Sequence, residues 1–136
     1  MAAIVATVAN NVLDSLAPAG AAAAPVITGP LKCRLMTANG TATTAGTELA
    51  TGGGYTAGAN GLGTVAWNAA AAQAKTNSAA LSVANMPAAS LTGLELWDSA
   101  ATPLRVWFGP LTGAPIAVAA GNTFTIAAGQ LSLGLT

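Results

Sequence analysis

The sequence predicts an all-β protein: an antiparallel β-sandwich, jelly-roll-like, carrying a short N-terminal helix or extended arm. Three observations predict it. From Leu31 onward, apolar residues recur two apart, the period of a strand with one buried face. Turn-forming groups interrupt these runs at short intervals, the pattern of sandwiches and jelly rolls. The 136 residues are enough for one domain with a real core.

The first sixteen residues stand apart. Ile4, Val5, Val8, Val12, Leu13 and Leu16 recur at helical spacing, with Asn10, Asn11 and Asp14 between them, and Pro18 and Gly20 stop the pattern. An alanine-rich linker, Ala19–Pro25, follows. Residues 1–30 therefore divide from the body, 31–136, as an arm and tether. Such a helix can dock on another molecule or pack on its own domain.

In the body, Leu31, Cys33 and Leu35 alternate with Lys32, Arg34 and Met36 as a half-buried strand. The long polar stretch from Thr37 to Asn60 contains Gly52–Gly53–Gly54–Tyr55, and loops of that length usually carry a role in binding. The segment Val65–Lys75 is open to either helix or strand. Leu81 and Val83, ahead of a Met86–Pro87 turn, suggest a strand. Leu94 and Leu96, then Leu104, Val106 and Phe108, read as a hairpin closed by Ser99–Pro103. Ile116 and Val118, then Phe124 and Ile126, then Leu131, Leu133 and Leu135 follow, separated by turns at 120–122 and 128–130. The expected core is Leu94, Leu96, Leu104, Val106, Phe108, Phe124, Ile126, Leu131 and Leu133.

Composition narrows the chemistry. Histidine, the usual general base and metal ligand, is absent, and the charged residues are only Asp14, Lys32, Arg34, Glu48, Lys75, Glu95, Asp98 and Arg105. Alanine makes up about a quarter of the chain, and 6% charged residues compare with about 25% in average proteins. A net charge of zero favours association between copies or with a larger assembly. Clustered basic residues for nucleic acid are missing, since Lys32 and Arg34 are the one close pair. No stretch reads as a membrane span or a secretory leader. The single Cys33 falls on the buried parity of its strand.

Motif by motif, little points to catalysis. Glu95 and Asp98 are three apart on a strand and so face opposite ways. Gly61–Leu62–Gly63 lacks the flanking strand and acidic residue of a dinucleotide site, and Gly52–Gly54 lacks the lysine of a phosphate loop. The expectation is a protein that binds and holds: not an enzyme, with no cofactor, no metal and no catalytic residue. Trp97 and Trp107 lie on the parity opposite the leucines, with Glu95 and Arg105, and aromatics beside charges are enriched at interfaces. They would serve as a contact surface, stabilise the sheet as a ladder, lie on a second buried face, or form a carbohydrate platform. The interface candidates are Ile4, Val8, Val12, Leu16, Trp97, Arg105 and Trp107.

The runs Leu31–Thr37, Gly46–Leu49, Gly52–Tyr55, Leu94–Asp98, Phe108–Leu111 and Ala120–Leu131 resemble segments of small virion structural proteins of tailed bacteriophages. That resemblance covers about residues 31–135 and carries no catalytic residues. It implies a capsid decoration (minor capsid) protein, made in the host cytoplasm, that binds the outer head surface and stabilises the shell. Its partners would be the major capsid protein and copies of itself in a trimer, without nucleic acid or membrane. The alternative is a tail or fibre adhesin component binding a tail partner or a host glycan. The absence of a coiled-coil or repeat shaft favours the short decoration subunit.

Overall fold

A computed structural model describes residues 3–16, 26–58, 61–72 and 74–134; the side chains of 3, 11 and 14–16 are outside that description. Twelve strands and one helix follow in chain order. They are β1 (Ala3–Ile4), α1 (Ala6–Leu16), β2 (Lys32–Ala38), β3 (Thr47–Glu48), β4 (Gly63–Thr64), β5 (Ala74–Thr76) and β6 (Leu81–Val83). The rest are β7 (Ala89–Leu91), β8 (Gly93–Trp97), β9 (Arg105–Pro110), β10 (Ile116–Val118), β11 (Phe124–Ile126) and β12 (Ser132–Gly134). The fold is all-β, antiparallel and sandwich-like.

The pairing explains why the alternation recurs so regularly. β8 and β9 form the central hairpin, and β7 pairs β10, β6 pairs β11 and β5 pairs β12. Four nested antiparallel pairs amount to one long hairpin rolled on itself, the connectivity of a jelly roll. The main sheet runs β1-β9-β8-β2-β3, with β4 also on β2. Segment 65–75, left open between helix and strand by its sequence, holds no helix among its described residues and carries bridge and strand pairings instead. Trp67 bridges to Asn77, and Ala71 and Ala74 exchange backbone hydrogen bonds across a tight turn.

One core fills the roll: Cys33, Leu35, Leu94, Leu96, Leu91, Ile126, Leu131 and Leu133 are buried together with Tyr55 and Met86. Most of the expected core residues are therefore inside. Leu104, Phe108 and Phe124 are only half-buried, and the large side chains most completely enclosed are Tyr55, Leu35 and Met36.

A second, smaller cluster holds the helix. Val5, Val8 and Val106 are buried against one another, with Ile4, Val12 and Phe108 beside them. The first helical N–H groups need acceptors, and the body supplies them. Val5 N–H donates to Val106 O and Ala6 N–H to Ala42 O, at 3.0 and 3.1 Å. Of the two readings of an amphipathic N-terminal helix, packing on its own domain is the observed one. The tether Ala19–Pro25 and Leu135 lie outside the described residues.

Candidate functional site

The register of the main sheet decides which side chains meet. Residues directly paired across antiparallel strands share a face. Cys33 pairs Leu96, Leu35 pairs Leu94, and Leu96 pairs Trp107, so these line the core side. Arg34 pairs Glu95, Glu95 pairs Phe108, and Trp97 pairs Arg105, so these share the other side. A one-residue bulge between the Leu96–Trp107 and Trp97–Arg105 pairs leaves Val106 as the extra residue, buried against α1. The two tryptophans thus lie on opposite faces, and Trp107 belongs with the leucines. That corrects the parity expected from the sequence, which counted through β9 without the bulge or the register.

The second face is buried too, beneath residues 39–58. Four of the eight charged side chains converge there. Arg105 donates through Nη1 to Glu95 Oε1 at 2.9 Å and through Nη2 to Thr41 O at 2.8 Å. The Gly46 N–H donates to the same Glu95 oxygen at 2.7 Å, and Trp97 Nε1 donates to Glu95 Oε2 at 3.1 Å. Arg34 stacks on the Trp97 ring, 4.3 Å from its centroid, and stands 3.6 Å from Glu48 Oε2. Glu48 Oε1 accepts from Tyr55 Oη at 2.9 Å and from Gly58 N–H at 2.8 Å, and Tyr55 Oη accepts the Leu35 N–H at 3.0 Å. Burial pushes the Tyr55 phenol above its usual range, so it stays protonated and able to donate to Glu48.

This network is a clasp. It ties the long 37–58 segment across the sheet: the Glu95 and Glu48 carboxylates and the Tyr55 phenol are each engaged by neighbours, while Arg34 Nε is buried without a hydrogen-bond partner among the described residues. Close packing explains the glycines of that segment. A Cβ on Gly40 would meet Glu95 Oε1 at 2.5 Å, and one on Gly53, which has φ +56°, would meet Asn85 O at 2.0 Å. The Gly52–Gly54 run is thus a close backbone approach to residues 84–85. The length of the Thr37–Asn60 stretch serves the clasp, where the sequence had suggested a binding loop.

Two polar residues outside the clasp organise turns. Asp98, beyond the end of β8, accepts N–H groups from Leu104 at 2.7 Å, Thr28 at 3.2 Å and Ala100 at 3.3 Å. Burial works to raise its carboxyl pKa, but these three donors prevail and hold it below the usual range. Glu95 and Asp98 do not form a pair, as their spacing indicated. Asn77 is fully buried. Its Nδ2 donates to Ala79 O at 2.8 Å and Ala127 O at 3.0 Å, while Oδ1 accepts the Leu131 N–H at 2.9 Å. Nothing in its local sequence marks it, because its partners lie up to 54 residues away. Burial raises the Cys33 thiol from 9.0 to about 12, so it is neutral and enclosed. Among the described residues no group of three or more His, Cys, Asp or Glu could hold a metal ion. Among the described residues no helix is long and apolar enough to cross a membrane.

The expected interface residues divide between two faces. Ile4, Val8, Val12 and Trp107 line one groove beside α1, with Val8 only 1% exposed, whereas Trp97 and Arg105, the latter 8% exposed, are held in the clasp. Ile4, Val12, Trp97 and Trp107 are half-buried, and Trp97 already serves Glu95 and Arg34. The Leu16 side chain lies outside the described residues. Leu13, which the sequence placed on the apolar side of the helix, is 63% exposed and lines the same groove as Ile27, 37% exposed; Val26, beside Ile27 in the chain, is 84% exposed. That groove, of about 790 Å³ between α1 and the body, is also lined by Val12, Trp67, Trp107 and Leu133, with Lys75 the one charged residue in its lining among the described residues.

A second cleft, of about 620 Å³, opens between the β9–β10 connection and β11–β12. It mixes apolar side chains (Leu94, Ile116, Phe124) with neutral polar ones (Thr112, Thr125, Gln130, Ser132).

Comparison with known proteins places this architecture. No curated protein matches the chain. A family described as podophage GP4 fiber I protein gp80 matches residues 3–134, nearly the whole sequence and all of the β-roll. The chain belongs to the podophage GP4 fiber I protein gp80 family, and it is a virion-associated structural protein of a bacteriophage.

Proposed function

We propose that this protein is a fibre component of the phage virion, acting by binding and not by catalysis. The observation that carries this is the extent of the family match. It runs from β1 to β12 and takes in α1, so the fibre family's unit is this rolled domain together with its docked helix. The chemistry agrees with a binding role, because the internal charges are used up in the clasp and the turns. The described residues form a rolled β-domain, so it would be a globular part of a fibre. The exposed edge of α1 at Leu13, with Val26 and Ile27 nearby, is the contact we assign to another virion protein.

The neutral, compact domain also suits a decoration subunit on the head, with the major capsid protein as partner. Location on the particle separates the two readings. Virions carrying an epitope tag at the C-terminus should bind gold-labelled antibody on tail or fibre structures, and particles lacking the protein should adsorb poorly with robust heads. Gold over the head, with shells that fail at lower temperature and normal adsorption, would replace the fibre reading by decoration.

A further inference from the structure

We propose that the cleft between the β9–β10 connection and β11–β12 binds a neutral oligosaccharide. This deepens the fibre reading by giving the domain a ligand. The cleft holds about 620 Å³, within the 300–1,000 Å³ usual for ligand sites. Its lining among the described residues contains no charge, which disfavours anionic and cationic ligands alike. Sugars present an apolar C–H face and a rim of hydroxyls. The cleft offers the counterpart of both: the half-buried Phe124 ring with Leu94 and Ile116, and around them Thr112, Gln130 and Ser132.

The polar rim is available and well held. Thr112, Gln130 and Ser132 are exposed, and their side chains make no hydrogen bond within the described protein. Only Thr125 is engaged, with Ser82 at 2.8 Å. The turn carrying Gln130 is closed by its own N–H to Ala127 O at 3.1 Å and by Gly129 N–H to Asn77 O at 2.8 Å. Buried Asn77 therefore fixes the loop that presents the amide, and a preorganised rim reduces the ordering cost of binding.

The test uses the full chain on an array of neutral oligosaccharides, with sialylated and sulfated members for comparison, followed by titration of the best binder. Binding should be confined to neutral members. Gln130→Ala and Ser132→Ala, both exposed and outside the core, should each weaken it about tenfold, the loss of roughly one hydrogen bond. Thr102→Ala, in the exposed loop between β8 and β9 and outside the cleft, should bind as the parent does. Failure to bind any neutral member, preference for charged ones, or parent-like affinity in both Gln130→Ala and Ser132→Ala would overturn the proposal. None of these outcomes bears on where the protein sits in the virion.

Discussion

Replacing Arg105 by methionine tests the clasp most directly. The substitution keeps much of the aliphatic volume but removes the guanidinium from a side chain 9% exposed, leaving Glu95 Oε1 with only the Gly46 N–H in a site 1% exposed. Thr41 O loses its donor as well. Breaking a buried pair by removing one partner costs about 3–5 kcal/mol, mostly from the charge left behind. With a urea dependence of about 1.5 kcal/mol per molar, the midpoint should fall by roughly 2–3 M. Tryptophan fluorescence, to which Trp67, Trp97 and Trp107 all contribute, follows the transition. Glu95→Gln in the Arg105→Met background removes the stranded charge and should recover a large part of the loss, giving a coupling energy of about 1–3 kcal/mol in the double-mutant cycle. A cost below about 1 kcal/mol for Arg105→Met, or simple additivity with Glu95→Gln, would refute the view of this pair as a buried clasp.

Asn77→Ala should cost about 2–4 kcal/mol, because it strands the Leu131 N–H and removes the side-chain donor to Ala79 O, while Ala127 O keeps the Gln130 N–H; urea unfolding measures it. Asp98 has a lowered carboxyl pKa in the folded protein, so its stabilising effect is present above the unfolded value of about 3.9 and is lost as pH falls through the folded one. Asp98→Asn should therefore be less stable at pH 7 yet lose less between pH 4 and pH 2, as equilibrium unfolding across that range would show. Cys33 should resist a thiol reagent at pH 8 until the protein unfolds, and rapid labelling of the native state would contradict its burial. Leu13→Asp should change stability by less than about 0.5 kcal/mol while lowering incorporation into virions, read by immunoblot of purified particles.

Local pattern was enough for the class of fold and the places where strands begin and turn. Alternation at Leu31–Met36, Leu94–Trp97 and Phe124–Ile126 is set by the two-residue period of a strand, which any sheet must respect. The same holds for the helical spacing of Val8 and Val12 and for the loop at Ser99–Pro103, whereas Ile4, which that spacing counted into the helix, pairs as a strand with Trp107 because β9 offers it an open edge. Which face a residue occupies across the hairpin was beyond that pattern. Trp107 joined the core because of the register, Val106 joined the helix because of a bulge, and neither leaves a mark in a chain whose two faces are both buried. Glu95 and Arg105 look like surface charges in sequence, since charge usually stays in water. Only their approach within 2.9 Å, beneath residues 39–58, makes their burial tolerable. Asn77 is silent for the same reason, its partners being brought to it by the pairing of distant strands. Period and turn chemistry are properties of neighbours along the chain, whereas register, burial of charge and the shape of a cleft arise from segments that meet only once the roll has closed.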